Sequence, residues 1–261
     1  MTGRLLLRGM LVGLLAGLLS FAFLKIAGEP SVDSAIAYEG ALDAAKAKVK
    51  AEEAPLRGLP APVEEAEPEL VSRTVQAGFG LLTGVSVYSA AFGGLFALVF
   101  ALAYRRIGDF SPRATSALLA AAGFVSVNLA PMVKYPANPP SVGLPETIGA
   151  RTSLYFAMIL ISLAAMIAAG LLRGRLSPRF GAWNASFVAA AAYVAVITGA
   201  ALALPGVSEV PEGFPATVLW QFRIASLSGQ AIMWATLGLL FGIAAERVVT
   251  QRQRSLRPEA A

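Results

Sequence analysis

Apolar residues arrive in long blocks, and the charged residues are concentrated in the gaps between them. A bilayer's hydrocarbon core, about 30 Å thick, asks for about 20 mostly apolar residues in a helix. Six stretches meet that demand: 5–27, 79–104, 114–133, 153–172, 185–204 and 225–245. The pattern predicts an all-α, polytopic transmembrane bundle, a single integral membrane domain over 1–261. The fifth stretch is the weakest, because Ala189–Ala192 and their neighbours are small rather than strongly apolar. A five-span arrangement with that segment buried or re-entrant is the alternative. Arg4 and Arg8 ahead of the first block also suit a cleaved leader, but no clean A-x-A site follows Phe23, and the glycines of this stretch suit helix packing. The first block is therefore expected to remain as a span.

Charge orients the spans. With both termini in the cytoplasm, the inner segments collect twelve arginines, among them Arg105, Arg106, Arg113, Arg173, Arg175 and Arg179. Only Asp109, Glu246 and Glu259 oppose them, so the inside carries +9 and the outside −4, which together make the net +5. The short outer loops hold only Lys134, Arg151 and Arg223. The positive charge is thus a topology signal of the positive-inside kind. It is not the footprint of a nucleic-acid binder, and no basic patch with interleaved aromatics argues otherwise.

One segment, 28–74, reads as water-facing and acidic. Pro30 suits a first helical position, and the Ala-rich run to about Glu53 favours helix. Val32, Ile36 and Leu42 give it a weak apolar stripe, suited to the membrane surface or to neighbouring loops. Beyond Pro55 a Pro-rich tract with Glu64, Glu65, Glu67 and Glu69 reads as a solvated linker. A faint repetition also runs through the chain. Phe110-Ser111-Pro112-Arg113 opens the third span and Leu176-Ser177-Pro178-Arg179 the fifth, while Phe92–Phe96 echoes Leu237–Phe241. Parallel hairpin repeats or chance both account for it.

Glycines at four-residue intervals mark faces where helices can approach closely in lipid. Gly9, Gly13 and Gly17 form one such face, Gly80 and Gly84 a second, and Gly238 and Gly242 a third. Packing within one protomer is the expected use, with a homo-oligomer or partner contact as the alternative. Polar groups at membrane depth are functional candidates, because they cost free energy there. Asn128 and Gln230 offer amide oxygens to a passing cation, or an interhelical hydrogen bond. Lys134, Tyr135 and Asn138 extend this set of path candidates into the outer loop. Outside, Glu29 and Asp33 lie four apart on one helical face with Glu39 nearby, and Glu209 and Glu212 approach from another loop. These five acids are the candidate metal-binding residues, and oxygen-only ligation suits Mg²⁺, Ca²⁺ or Mn²⁺. Solvated acids are the alternative reading.

Composition narrows the chemistry. The chain is 56% hydrophobic and 14% charged, with no cysteine and no histidine. Soluble domains run at about 45–50% apolar and about a quarter charged. Structural disulfides, thiol nucleophiles, zinc ribbons, iron–sulfur ligands, imidazole metal sites and Ser-His-Asp triads are all excluded. No phosphate-binding loop, dinucleotide fingerprint or H-E-x-x-H occurs. The chain is expected not to be an enzyme, and no stably bound cofactor is expected.

Several stretches carry a resemblance. Arg8–Leu19, Gly28-Glu29-Pro30, Leu81-Leu82-Thr83-Gly84, Lys134-Tyr135-Pro136-Ala137-Asn138-Pro139-Pro140 and Pro211-Glu212-Gly213-Phe214-Pro215 resemble the CbtA family over nearly the whole chain. The resemblance implies a multi-pass transporter subunit importing cobalt across the bacterial cytoplasmic membrane, linked to cobalamin metabolism. It also implies a small single-span, histidine-containing partner, CbtB. Many relatives carry histidines after the first span, and this sequence has none. A partner's histidines or a different divalent cargo would answer that departure. A non-transporting accessory or assembly protein, binding another membrane subunit, is the alternative function.

Overall fold

The computed structural model describes residues 2–56 and 70–255, with side chains for all of these except 54–56 and 252–255. The acidic tract at Glu64–Glu69 lies outside the described residues. Among the described residues the fold is entirely helical. Five helices are long and apolar enough to cross a membrane: Thr2–Glu53, Arg73–Ala103, Pro112–Lys134, Pro145–Ala203 and Ala216–Gln251.

The fourth of these is really two. A straight helix of 59 residues would be about 88 Å long, almost three times the hydrocarbon thickness. Instead the backbone leaves helical geometry at Gly181, with φ 77° and ψ 159°, a conformation essentially restricted to glycine. The chain then folds back on itself. Ser162 and Tyr193 share a hydroxyl–hydroxyl hydrogen bond of 2.7 Å, and Arg173 Nε donates to Ser186 Oγ at 2.9 Å. In a straight helix residues 162 and 193 would stand about 46 Å apart. We number the helices α1 (2–56), α2 (73–103), α3 (112–134), α4 (148–180), α5 (182–203) and α6 (216–255).

This corrects the expected start of the fifth helix. Ser111-Pro112-Arg113 does open α3: Ser111 Oγ accepts from the Ala114 N–H at 3.2 Å, and Pro112 sits in the first turn. Ser177-Pro178-Arg179, by contrast, lies inside the end of α4, and the turn waits for Gly181. The two motifs are alike in letters and different in use. The segment suspected of being re-entrant, around Ala189–Ala192, is regular helix.

Four helices form the core. Leu5 and Ala16 of α1, Phe96 and Phe100 of α2, Ala120 of α3, and Met233, Trp234, Leu237 and Phe241 of α6 make one buried cluster. Phe241 meets Phe96 and Phe100 edge-to-face, at 5.4 and 5.2 Å between ring centres. Between α1 and α2 the contact is nearly backbone on backbone. A Cβ on Gly9 would collide with the Gly93 carbonyl, one on Gly13 with the Ser89 carbonyl, and one on Gly17 would lie 3.0 Å from Ser86 Cα. Gly238 and Gly242 of α6 face α3 in the same way, against Ala120 and Arg113. Gly80 and Gly84 do not serve as expected. Gly84 has nothing within 4 Å, and Gly80 meets only the Val75 carbonyl of its own helix. Gly93 and Gly94, on the opposite side of the helix end, take the packing role.

Each core helix contains one π-helical turn: Leu24–Gly28, Gln76–Gly80, Phe124–Leu129 and Leu237–Phe241. Two of them precede a proline that lacks an N–H and crowds the carbonyl four residues back. The first carries α1 past Pro30 without a break, so the water-facing helix continues the first span. The third precedes Pro131, and the Val127 carbonyl so freed has the Tyr155 hydroxyl 3.5 Å away. In α6 the Gly238 carbonyl accepts from Ser116 Oγ at 2.8 Å.

At one end of the bundle Arg113 pairs with Glu246 at 2.6 Å, and Arg8 Nη1 donates to the Ala244 carbonyl at 2.7 Å. At the other end the extension of α1 leans on the loops through Ala35 and Tyr38 rather than through the expected Val32, Ile36 and Leu42 stripe alone. Ala35 clusters with Val142 and Phe214, and Tyr38 donates to the Glu212 carbonyl at 3.1 Å.

Candidate cation-binding cleft

Where α1, α2 and α6 diverge beyond their close contact, a cavity of about 240 Å³ opens between them. Close approach of α1 and α2 at Gly9 and Gly13 holds the inner halves together. The π-turn at Leu24–Gly28 contributes Leu24 and Gly28 to the cavity wall. Its polar lining comes from Ser20, Glu29, Tyr88, Ser89, Ser226 and Gln230, with the Met233 thioether deeper. Ser20 is spoken for, donating to the Gly229 carbonyl at 2.9 Å. Ser89 is 1% exposed, yet its hydroxyl has no hydrogen-bond partner among the described residues, and neither has the buried Gln230 Oε1. A buried polar group left unpaired is expensive, and such groups point to a ligand or water that completes them. A water's share of liquid volume is about 30 Å³, so the cavity has room for several waters, or for a cation with part of its hydration shell.

Glu29 connects this cavity to the surface, and Asp33 stands one turn further out on the same face, as the spacing predicts. Both are already engaged. Arg73, at the start of α2, donates from Nε to Asp33 Oδ1 at 3.0 Å, and its Nη2 is paired with both Asp33 (2.9 Å) and Glu29.

The other expected metal residues are elsewhere. Glu209 accepts from the Leu144 N–H and the Thr147 hydroxyl, each at 2.8 Å, and lies 3.5 Å from Arg151 Nε. The Leu144 N–H above all, with Thr147 and Arg151 adding, holds its carboxyl below the usual carboxylate range despite partial desolvation. Its work is to tie the loop before α4 to the loop before α6. Glu39 and Glu212 have exposed side chains. Among the described residues no group of three or more acids is arranged to hold a metal ion. The five acids do not gather, because Arg73 and Arg151 each draw their own.

The path candidates also divide. Asn128 is not free: its Oδ1 accepts from the Trp234 indole N–H at 2.7 Å, a buried interhelical bond. Gln230 lines the cleft and, with Ser226, also lines a second cavity of about 240 Å³ beside Asn128, Tyr135 and Tyr155. That second cavity adjoins an outer vestibule of about 610 Å³ containing Lys134, Tyr135, Asn138, Arg151, Glu209 and Arg223. Arg223 donates to Asn138 Oδ1 at 2.9 Å, and the Tyr135 hydroxyl to the Pro205 carbonyl at 2.8 Å. Three cationic side chains against one carboxylate make the vestibule repel cations. The mouth of the α1–α2–α6 cleft has the opposite balance, two carboxylates to one arginine. Sequence reasoning missed Ser89 and Arg73. Ser86 and Ser89 are three apart and share the small-residue pattern that hid them, and Arg73 lies 40 residues from Asp33.

Residues 2–246 match the CbtA family, described as "Probable cobalt transporter subunit (CbtA)". The chain belongs to the CbtA family. No curated protein and no solved structure matches it. Membership in CbtA makes this a transporter-subunit family protein, and its apolar helices make it a multi-pass membrane protein. A subunit implies partners, and a transporter-subunit family is consistent with a chain that is not an enzyme.

Proposed function

We propose that this chain imports Co²⁺ across the bacterial cytoplasmic membrane, crossing it six times with both termini inside, and that cations enter at the α1–α2–α6 cleft. The observation that carries the reading is the cavity with a carboxylate at its mouth and unpartnered Ser89 and Gln230 oxygens in its wall. Transport requires binding favourable enough to admit an ion and weak enough to release it. Two acids and a few neutral oxygens provide that, whereas a closed set of imidazoles or thiolates would retain a transition metal. The excess of arginine on the inner side supports the orientation, and the Gly181 reversal supports six crossings. A small histidine-containing subunit of the CbtB kind supplies the imidazole ligands this chain lacks.

The test is ⁵⁷Co²⁺ accumulation by cells expressing the chain, with and without that partner. Faster uptake than in control cells, reduced at least about tenfold by E29Q, is the expected result. Equal uptake in expressing and control cells, under every partner and energisation condition, would overturn the proposal and leave the accessory role.

A further inference from the structure

Arg73 occupies the place a cargo cation would take first. Its guanidinium is paired at once with Glu29, which lines the cleft, and with Asp33 one turn outward. The Glu29 side chain is only 12% exposed, and that of Arg73 30%, so the pair is shielded from solvent far more than an ordinary surface salt bridge. The acids alone would present −2 to the outside, and with Arg73 the mouth carries −1. Arg73 also begins α2, three residues before the π-turn Gln76–Gly80.

We infer that Arg73 is a tethered competing cation that closes the cleft to monovalent ions and yields to divalent ones. This rests on the reading of the cleft as a cation entry. An incoming Na⁺ or K⁺ offers the acids the same charge as the guanidinium, without its forked pair of donors, and gains nothing by exchange. A dication offers twice the charge at the same distance, doubling the Coulomb attraction, and can displace the arginine. Behind it, the unpartnered Ser89 hydroxyl and Gln230 Oε1 supply further oxygen ligands in the cavity. Arg73 is thus a specificity-determining residue whose effect is exerted by competition.

The experiment measures equilibrium binding of ⁵⁷Co²⁺ alone to the purified full-length chain in detergent, at low and moderate NaCl. R73Q is expected to tighten half-saturation about tenfold at low salt. That gain shrinks between about 10 and 300 mM NaCl as Na⁺ screens and occupies the vacated acids. R73K, which keeps the charge and loses the fork, stays within about threefold of the parent. E29Q weakens binding in every background. Unchanged or weaker binding by R73Q, or no saturable binding by either protein, overturns the inference. Tighter binding by R73Q alongside absent uptake by the parent chain in cells would uphold the competition and refute the transport reading, so the two fail separately.

Discussion

Half of the most apolar window of α6 is buried, against 17% of that of the α4–α5 hairpin. The buried cluster draws residues from α1, α2, α3 and α6 and none from α4 or α5. The two regions are equally apolar to the eye, and α4–α5 in fact has the higher hydropathy. Apolarity in a membrane protein therefore reports the solvent and not the core. What separates the regions is the detail of contact: glycines and serines where backbones touch, and bulky residues facing outward where nothing does. Trp234 is 6% exposed and Trp183 81%.

Substitutions can break this contrast, and the largest effect is expected at the tightest contact. Gly13→Leu drives a side chain into the Ser89 carbonyl and should cost about 3 kcal/mol or more, at the upper end of overpacking penalties. Gly174→Leu in the hairpin, with nothing within 4 Å, should stay within about 0.5 kcal/mol. Melting temperatures by detergent size-exclusion would compare them, and equal shifts would dissolve the contrast. The hairpin has one exacting position of its own. Gly181→Ala forces a Cβ onto φ 77° and should cost about 1–3 kcal/mol. It should also lengthen the distance between probes on α4 and α5, read by spin-label spectroscopy on a chain that has no native cysteine to interfere.

Smaller effects follow from single hydrogen bonds. Trp234→Phe leaves Asn128 Oδ1 without its donor and should cost about 0.6–1.7 kcal/mol, whereas Trp183→Phe should leave the melting temperature unchanged. The smallest effect is at Glu209. Its carboxyl titrates below the usual range in the folded chain, so the loop tie is complete above the unfolded value and is lost as pH falls through the lower folded one. Amide exchange at Leu144, compared with E209Q at each pH, should differ between the two proteins at neutral pH and converge in acid. A difference that persists at the lowest pH would assign the protection to something else.

The sequence disclosed the helices and the shared face of Glu29 and Asp33, because these follow from composition and local periodicity. It disclosed the Gly9–Gly13–Gly17 face for the same reason. It misassigned Gly80 and Gly84, since spacing shows that a face is small without showing whether a neighbour meets it; Gly93 and Gly94 meet α1 because of where the helices cross. The sequence left Asn128 between a cation ligand and an interhelical hydrogen bond, and the second holds, with a partner, Trp234, 106 residues away. Arg73 looked like one more outer cation until the fold set it between two acids. Long-range pairing, and not local preference, decides these cases.

The π-turn at Leu237–Phe241 has one further consequence, for phase. Ala225, Gly229, Met233, Leu237, Phe241 and Ala245, all buried, recur every fourth residue. In an ideal α-helix of 3.6 residues per turn, such a stripe rotates about 40° with each step, and over five steps it would wind to the far side. The wider turn absorbs one extra residue and resets the angle, so both halves of α6 look toward the same neighbours. Forcing the same residues into a regular α-helix would turn Ala245 and Val248 away from α1 and α3, whereas deleting one residue there would straighten the turn and leave them facing as they do.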